Sequence, residues 1–437
     1  MNAKYLTLCL LGLFNFTQVK AQDTIGIVKE TILKKVAEGN LQIKIAQHDF
    51  SASQAEYRQS SAVFLPNITV SHTGISTTNP LMAFGSKLNQ EILTQNDFNP
   101  NLLNNPDVTQ NFATRIEVLQ PILNFDGFVQ RKAARIKAAS FKLQSERTQE
   151  AILLDAKKSY MELQLAYQMV AVMEKALFTA TENGRMVQNY NKQGLVQKTD
   201  VLSVEIRINE IKNQLQTAKS AVRNSSDYLN FLLNGEDKDA IYKPLDAFEL
   251  ESTLAKEDKI SLSNRKDFQA MSLVTESYKQ MVNSSKMNFL PRLNAFGTYE
   301  LYDDTLFGTS AGGYVIGAQL SWNLFDGYKS IGKLQQAKVT YEKAKTEELQ
   351  YKAKSELELN KYSRQLLDAQ EKVKLAQLNV EQTTEAYRIR QNRFQQGLEK
   401  TTDVLLSETQ MIQKELEYKQ AIFEYNFTKD YVAFLQK

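Results

Sequence analysis

Four short stretches of this chain alternate apolar and polar residues with a period of two. Ile68, Val70 and His72 alternate with Thr69, Ser71 and Thr73, and Phe112, Thr114, Ile116 and Val118 alternate with Ala113, Arg115 and Glu117. Leu293, Ala295, Gly297 and Tyr299 alternate with Asn294, Phe296 and Thr298, and Tyr314, Ile316, Ala318, Leu320 and Trp322 alternate with Val315, Gly317, Gln319 and Ser321. Such alternation predicts four strands, over about 66–75, 111–123, 291–302 and 312–325, each with one apolar and one largely polar face. Elsewhere the pattern is helical. No proline lies between Pro121 and Pro244, or after Pro291, and these stretches are rich in Ala, Leu, Glu, Gln and Lys. Gly127 and Gly194 are separated by 66 such residues, and Gly327 and Gly397 by 69. A helix of that size is roughly 100 Å long and needs lateral partners. Its apolar seam is narrow (Leu349, Leu357, Leu366, Leu367, Val373, Leu378), as in a helix wet on two sides and packed edge to edge. Gly194 and Gly397 fit C-terminal caps. Thr199 and Thr402 then open return helices, with Asp200 and Asp403 in the first turn. Two long antiparallel hairpins follow, about 127–233 and 328–435. A shorter helix precedes each strand pair, near Leu41–Phe64 and Lys266–Phe289.

The same marks occur twice and in the same order. Phe64-Leu65-Pro66 recurs 225 residues later as Phe289-Leu290-Pro291, and Phe125-Asp126-Gly127 recurs 200 later as Phe325-Asp326-Gly327. Gly194-Leu195 with Thr199-Asp200-Val201-Leu202 recurs 203 later as Gly397-Leu398 with Thr402-Asp403-Val404-Leu405. Tyr228, Phe231 and Leu232 recur at that same offset as Tyr431, Phe434 and Leu435. The chain is a tandem duplication of one unit, 22–233 and 264–437, joined by a linker at 234–263. The offsets give the first half 25 extra residues between its Phe-Leu-Pro and Phe-Asp-Gly marks.

Residues 1–21 read as a secretory signal: Lys4, the apolar run Leu6 to Phe16, and Val19-Lys20-Ala21 as a cleavage site. The only cysteine, Cys9, lies inside it, so the mature chain is held without disulfides. Losing Lys4 and Lys20 reduces the 53 basic residues to 51, against 50 acidic ones. That balance argues against a nucleic-acid partner. No later stretch is apolar enough for a spanning helix. A periplasmic protein and an outer-membrane β-barrel both remain open, and four strands cannot close a barrel alone. In a membrane several chains must contribute, and three would give twelve strands. Trp322, Tyr314 and Tyr299 then suit an interfacial aromatic girdle.

The doubled set of Phe-Leu-Pro before a strand pair, Phe-Asp-Gly at the strand-to-helix return and Gly-x4-Thr-Asp-Val-Leu at the turn resembles the TolC-like outer-membrane efflux family over nearly the whole mature chain. The resemblance implies a mainly α fold with a small β part. It also implies a homotrimer with a twelve-stranded barrel in the outer membrane of a Gram-negative bacterium, continued by a twelve-helix α-barrel into the periplasm. The implied role is a passive exit duct of a tripartite efflux or type I secretion system, joined through a periplasmic adaptor (a membrane fusion protein) to an inner-membrane pump. The adaptor-docking tips would be Gly194, Leu195, Gly397 and Leu398, and the pore constriction Asp403 with its counterpart Asp200. Leu406 and Ser203 stand where some members carry a second acidic residue, and Glu399 where some carry a tip arginine. The rival from another class, a periplasmic coiled-coil adaptor, has one hairpin flanked by two parts of a β-domain.

Several of these residues also have plain structural readings. Asp200 and Asp403 serve as first-turn carboxylates worth at most about 1 kcal/mol each, and Asp126 and Asp326 as caps of the long helices. His48 and His72 are the only histidines, too few for a usual zinc set. No catalytic constellation is evident, so neither enzyme chemistry nor a cofactor is expected. The Asn- and Pro-rich segment Asn79–Gln110 reads as a long extracellular loop or as a lid over a barrel mouth. The linker 234–263 would wrap an α-barrel as part of an equatorial belt.

Overall fold

The computed structural model describes residues 24–251 and 264–437. The expected signal segment and the later part of the expected linker lie outside the described residues. The elements are β1 (Thr24–Ile27), α1 (Lys29–Gly39), α2 (Leu41–Gln59), β2 (Asn67–Thr77), α3 (Pro80–Asn89), α4 (Pro100–Asn104), β3 (Thr109–Leu123), α5 (Phe125–Lys192) and α6 (Lys198–Leu233), followed by β4 (Ile241–Pro244), α7 (Lys266–Met287), β5 (Arg292–Asp303), β6 (Ala311–Ser321), α8 (Lys329–Gln395) and α9 (Thr401–Gln436). They fall into two compact units. One comprises the described residues within Met1–Ile45, Thr148–Ser261 and Ser355–Lys437; the other comprises those within Ala46–Arg147 and Leu262–Lys354.

The second of these units holds one four-stranded antiparallel sheet in the order β2-β3-β5-β6. The period of two in the sequence becomes two chemically distinct faces. Ile68 and Val70 sit in register with Val118 and Ile116, and these with Gly297 and Tyr299, which face Ile316 and Tyr314. One residue along, Thr69 and Ser71 align with Glu117 and Arg115, and these with Thr298 and Glu300. Arg115 and Glu300, directly opposed, form an ion pair on that polar face. The β5–β6 turn is organised by Asp303, which accepts from Thr305 N (2.8 Å) and Ser310 N (3.0 Å). β3 is irregular between Pro121 and Leu123, where proline has no N–H to give to the ladder.

The β2–β3 connection is not an extended loop. Asn79 accepts from Met82 N and Pro80 takes the first helical position of α3; Asn99 and Pro100 start α4 in the same way. The two Phe-Asp-Gly marks also diverge. In the first half Gly127 lies inside α5, whose start is capped by Asn124, the acceptor for Gly127 N at 3.3 Å. Asp126 is therefore not the cap; it makes a two-pronged pair with Arg292, at 2.6 and 3.2 Å. In the second half Gly327 and Tyr328 are both left-handed (φ 64° and 68°), and Asp326 caps α8 as expected, accepting from Ser330 N and Oγ.

The other unit contains the ends of both long hairpins and a core beside the linker. Ile32, Val36, Ile43, Tyr160, Leu163, Leu229, Leu232 and Tyr242 are all buried in that core. Asn40 joins its parts: its amide donates to Leu232 O (2.8 Å), while its oxygen caps α2 through Gln42 N and Ile43 N. β1 and β4 pair in parallel, so the described residues contain six strands and not the expected four. Thr24–Ile27 and Ile241–Pro244 are four residues each, too short for alternation to mark them. Beyond β4 the linker lies along α9, with Asn426 bonding Glu249 O (2.8 Å) and Lys429 pairing with Glu251 (3.1 Å). The return helices begin at Lys198 and Thr401, so Gln197 and Lys400 hold the cap positions expected of Thr199 and Thr402.

Candidate functional site: the paired helix turns

The two hairpin turns have the same geometry. Gly194 (φ 77°) and Gly397 (φ 72°) are left-handed, a conformation glycine adopts without a Cβ penalty. Nothing lies within 4 Å of where either Cβ would stand, so the glycines answer to backbone shape and not to crowding. In each turn the next N–H reaches back to close the helix: Leu195 N to Tyr190 O and Leu398 N to Arg393 O, both 2.9 Å. Leu195 and Leu398 themselves are 67% and 63% exposed.

The structure brings these turns together. Val187, Val201 and Val204 of the first hairpin pack with Tyr387, Phe394 and Val404 of the second. Across the seam the Tyr190 and Phe394 rings lie 5.7 Å apart, and the Tyr190 hydroxyl donates to Gln395 O. The second turn carries an additional clamp, since Glu399 receives both Arg390 (3.1 Å) and Arg393 (2.9 Å).

The two aspartates are used differently. Asp200 accepts from Gln197 N at 2.9 Å and so caps α6. The Asp403 carboxylate accepts no hydrogen bond from the described residues, although its own N–H follows the helix to Lys400 O. One tandem position has become a cap and the other an unengaged charge.

A buried polar cluster beside the tips escaped the sequence reading. Glu408 of α9 is fully buried, at 0% exposure. Asn183 of α5 donates to its Oε2 (3.2 Å) and to the Tyr387 hydroxyl of α8 (2.9 Å), while Gln391 donates to Asn183 Oδ1 (3.3 Å). Glu408 Oε1 and the Nε of nearby Arg207 on α6 have no partner among the described residues. Burial pushes the Glu408 carboxyl up, against the opposing effects of Asn183 and Arg207. Burial likewise pushes the Tyr387 hydroxyl up to about 12. The one signal in the sequence is that Glu408 falls on the buried stripe of α9 that runs through Thr401, Val404 and Ile412.

The candidate interface aromatics lie on the sheet. Tyr299 and Tyr314 stand opposite each other inside β5 and β6 and not at their ends, while Trp322 follows the last residue of β6. Trp322 is eight residues beyond Tyr314, about 26 Å along a strand at roughly 3.3 Å per residue. Between these levels the apolar face is open: Ile316 is 77% exposed and Leu320 66%. Among the described residues no helix is long and apolar enough to cross a membrane, and no group of His, Cys, Asp or Glu is arranged to hold a metal ion.

The sequence pattern of the family described as outer membrane efflux protein matches residues 32–235 and 259–426. A search of curated proteins finds no match. Among solved structures, a membrane protein from Pseudomonas aeruginosa superposes with a TM-score of 0.81 at 13% identity, over 94% of this chain and 92% of that one. The CmeC outer membrane channel of Campylobacter jejuni gives 0.79 at 15% identity, over 93% and 85% of the two chains. The outer membrane protein VceC of Vibrio cholerae gives 0.77 at 16% identity, over 93% and 96%. At these identities the likeness is one of fold.

The buried acid makes stability depend on pH. The folded state holds the Glu408 proton more tightly than the unfolded chain does. No stability is lost below the ordinary carboxylate range. Above it, stability falls progressively as pH rises through the raised folded value. Glu408→Gln keeps the shape of the neutral acid without its proton. Its thermal midpoint in detergent should match wild type at acid pH, exceed it by a growing margin as pH rises above the ordinary carboxylate range, and keep a constant margin above the raised folded value. A constant difference at all pH values would show that Glu408 does not titrate in this way.

Proposed function

Because the chain belongs to the outer membrane efflux protein family, we propose that three copies form one passive exit duct. The duct serves a tripartite efflux or type I secretion system and carries out no chemistry. The observation that supports this best is the sheet, whose apolar face is exposed and whose outer strands β2 and β6 have unpaired edges. Its strands are 11, 15, 12 and 11 residues long, enough to cross a bilayer when tilted. Backbone groups at an open edge cannot stay unpaired in lipid. Pairing β6 of one copy with β2 of the next closes a twelve-stranded barrel, lipid-facing on its apolar side and wet on its polar side.

The long helices support the same assembly. On α8, Val373 is buried and Leu366 packs against the Ala369–Tyr425 cluster, while Leu349, Leu357, Leu367 and Leu378 are exposed in the single chain. The helix thus has one seam filled by its own chain and a second left for a neighbour. The rival reading, a periplasmic adaptor, leaves the apolar-faced sheet and the second hairpin without a use. In the duct reading Gly194-Leu195 and Gly397-Leu398 dock a periplasmic adaptor, Asp403 lines the narrow end of the bore, and cargo choice belongs mainly to the pump.

Native mass measurement in mild detergent should give three chains per particle, and a stable inserted monomer would overturn the assembly. Gly397→Val forces a branched residue into a left-handed turn, a local strain of about 1–3 kcal/mol. The trimer should still reach the outer membrane, yet efflux should fail; normal efflux through a demonstrably altered turn would refute docking there. Asp403→Asn should lower cation selectivity or divalent block in planar bilayers modestly, by up to about twofold, because Leu406 offers no second acidic ring. Identical selectivity in an intact trimer would leave Asp403 a structural residue.

A further inference from the structure

The extra length of the first half is a folded piece seated on one side of the sheet. Ala83, Ser86 and Gln90 are buried against the end of β3. What they cover is the polar face alone. Thr109, Asn111 and Ala311 are buried there, whereas Gln110 and Gly312, which point the other way, are exposed. The same polar face continues through Ala113 to the Arg115–Glu300 ion pair.

Gln90 anchors this arrangement. Its amide donates to Gln110 O (2.8 Å), to Asn111 Oδ1 (2.8 Å) and to Asp303 O (3.2 Å), tying α3 to β3 and to the end of β5. Behind it, Lys87 pairs with Asp97 at 2.8 Å, and the Phe84 and Phe98 rings meet edge to face at 5.6 Å. Large apolar side chains are left uncovered on α3, namely Leu81, at 81% exposure, with Met82 and Leu88, and beyond it Phe98 and Val108, beside exposed polar residues such as Asn89, Glu91 and Gln95. The matching connection of the second half is the short turn between Asp303 and Ala311, without a helix.

We propose that α3 and the turn after it form an apolar constriction across the outer mouth of the bore, a size filter separate from the periplasmic tips. The inference rests on the duct reading, in which the polar face lines the water-filled passage. A helix seated on that face takes up cross-section that a bare barrel wall leaves open. Three copies bring three such helices around one axis, with Leu81 and Met82 among the surfaces they present. An apolar neck in an aqueous pore resists wetting and slows hydrated ions. Small solutes pass the neck, and bulky ones require α3 to lift from Asn111 and Asp303.

The test uses the full trimer in planar bilayers, with polyethylene glycols of graded size added to one side at a time. Replacing residues 80–108 by the short turn 304–310 should admit larger polymers from the outer side, leave the periplasmic cut-off unchanged and raise conductance about twofold or more. Leu81→Ser with Met82→Ser changes exposed side chains only, so it should fold and should raise conductance by wetting the neck. An unchanged outer cut-off in the shortened trimer, or unchanged conductance in the serine pair if the shortened chain fails to assemble, overturns the filter. A wild-type chain that forms no trimeric channel overturns the duct reading itself, and the filter with it.

Discussion

An unpaired backbone edge in hydrocarbon is the constraint on which the rest of this molecule depends. Each N–H or C=O deprived of water and of a partner costs several kcal/mol. β2 and β6 are 11 residues each and edge the sheet on both sides. Leaving such edges open in a bilayer outweighs anything the apolar face recovers by entering lipid. The sheet of one chain is therefore a fraction of a barrel, and the duplication follows from the same need. Each half contributes two strands, and β3 against β5 joins the halves in the middle of the sheet. That internal seam leaves only the two outer edges to be closed by other copies.

Much of this was legible in the sequence, because the signals are local. The alternation at Ile68–Thr73 and Tyr314–Trp322 is a direct image of a two-faced sheet. The left-handed turns at Gly194 and Gly397 announce themselves by residue type. What was not legible depends on partners distant in sequence. Asp126 reads like Asp326, yet its role is decided by Arg292, 166 positions away. β1 and β4 are two four-residue strands that exist only because they find each other. α3 carried its start signal, Asn79-Pro80, but the surrounding Asn and Pro residues made the whole segment read as a loop. Glu408 resembles any of the glutamates on a wet helix face until the packing of four helices around it is known.

Repetition makes the differences between the halves informative. Both tips share a backbone shape, so the glycines serve the fold first. The side chains then part company. Asp200 is spent on Gln197 N, while the Asp403 carboxylate accepts no hydrogen bond from the described residues. Glu399, at a position some relatives fill with arginine, is neutralised by Arg390 and Arg393 and so adds no net negative charge to the turn.

The electrostatics of a threefold assembly follow from that asymmetry. The duplication would place six first-turn aspartates near the axis, but only the three Asp403 carboxylates are unengaged. Coulomb interaction among like charges rises steeply as they approach and as water is excluded. Ser203 and Leu406 add no further charge to either set, so in the proposed trimer the field at the narrow end would come from a single ring. In the proposed duct such a ring would attract cations at the narrow end. A few residues away, burial raises the Glu408 carboxyl above its ordinary value in a pocket made by Asn183, Arg207 and Tyr387, which disfavours a further charge there. In the proposed duct, the charge facing the bore would thus depend on which carboxylates the packing leaves unengaged, and not on how many the sequence contains.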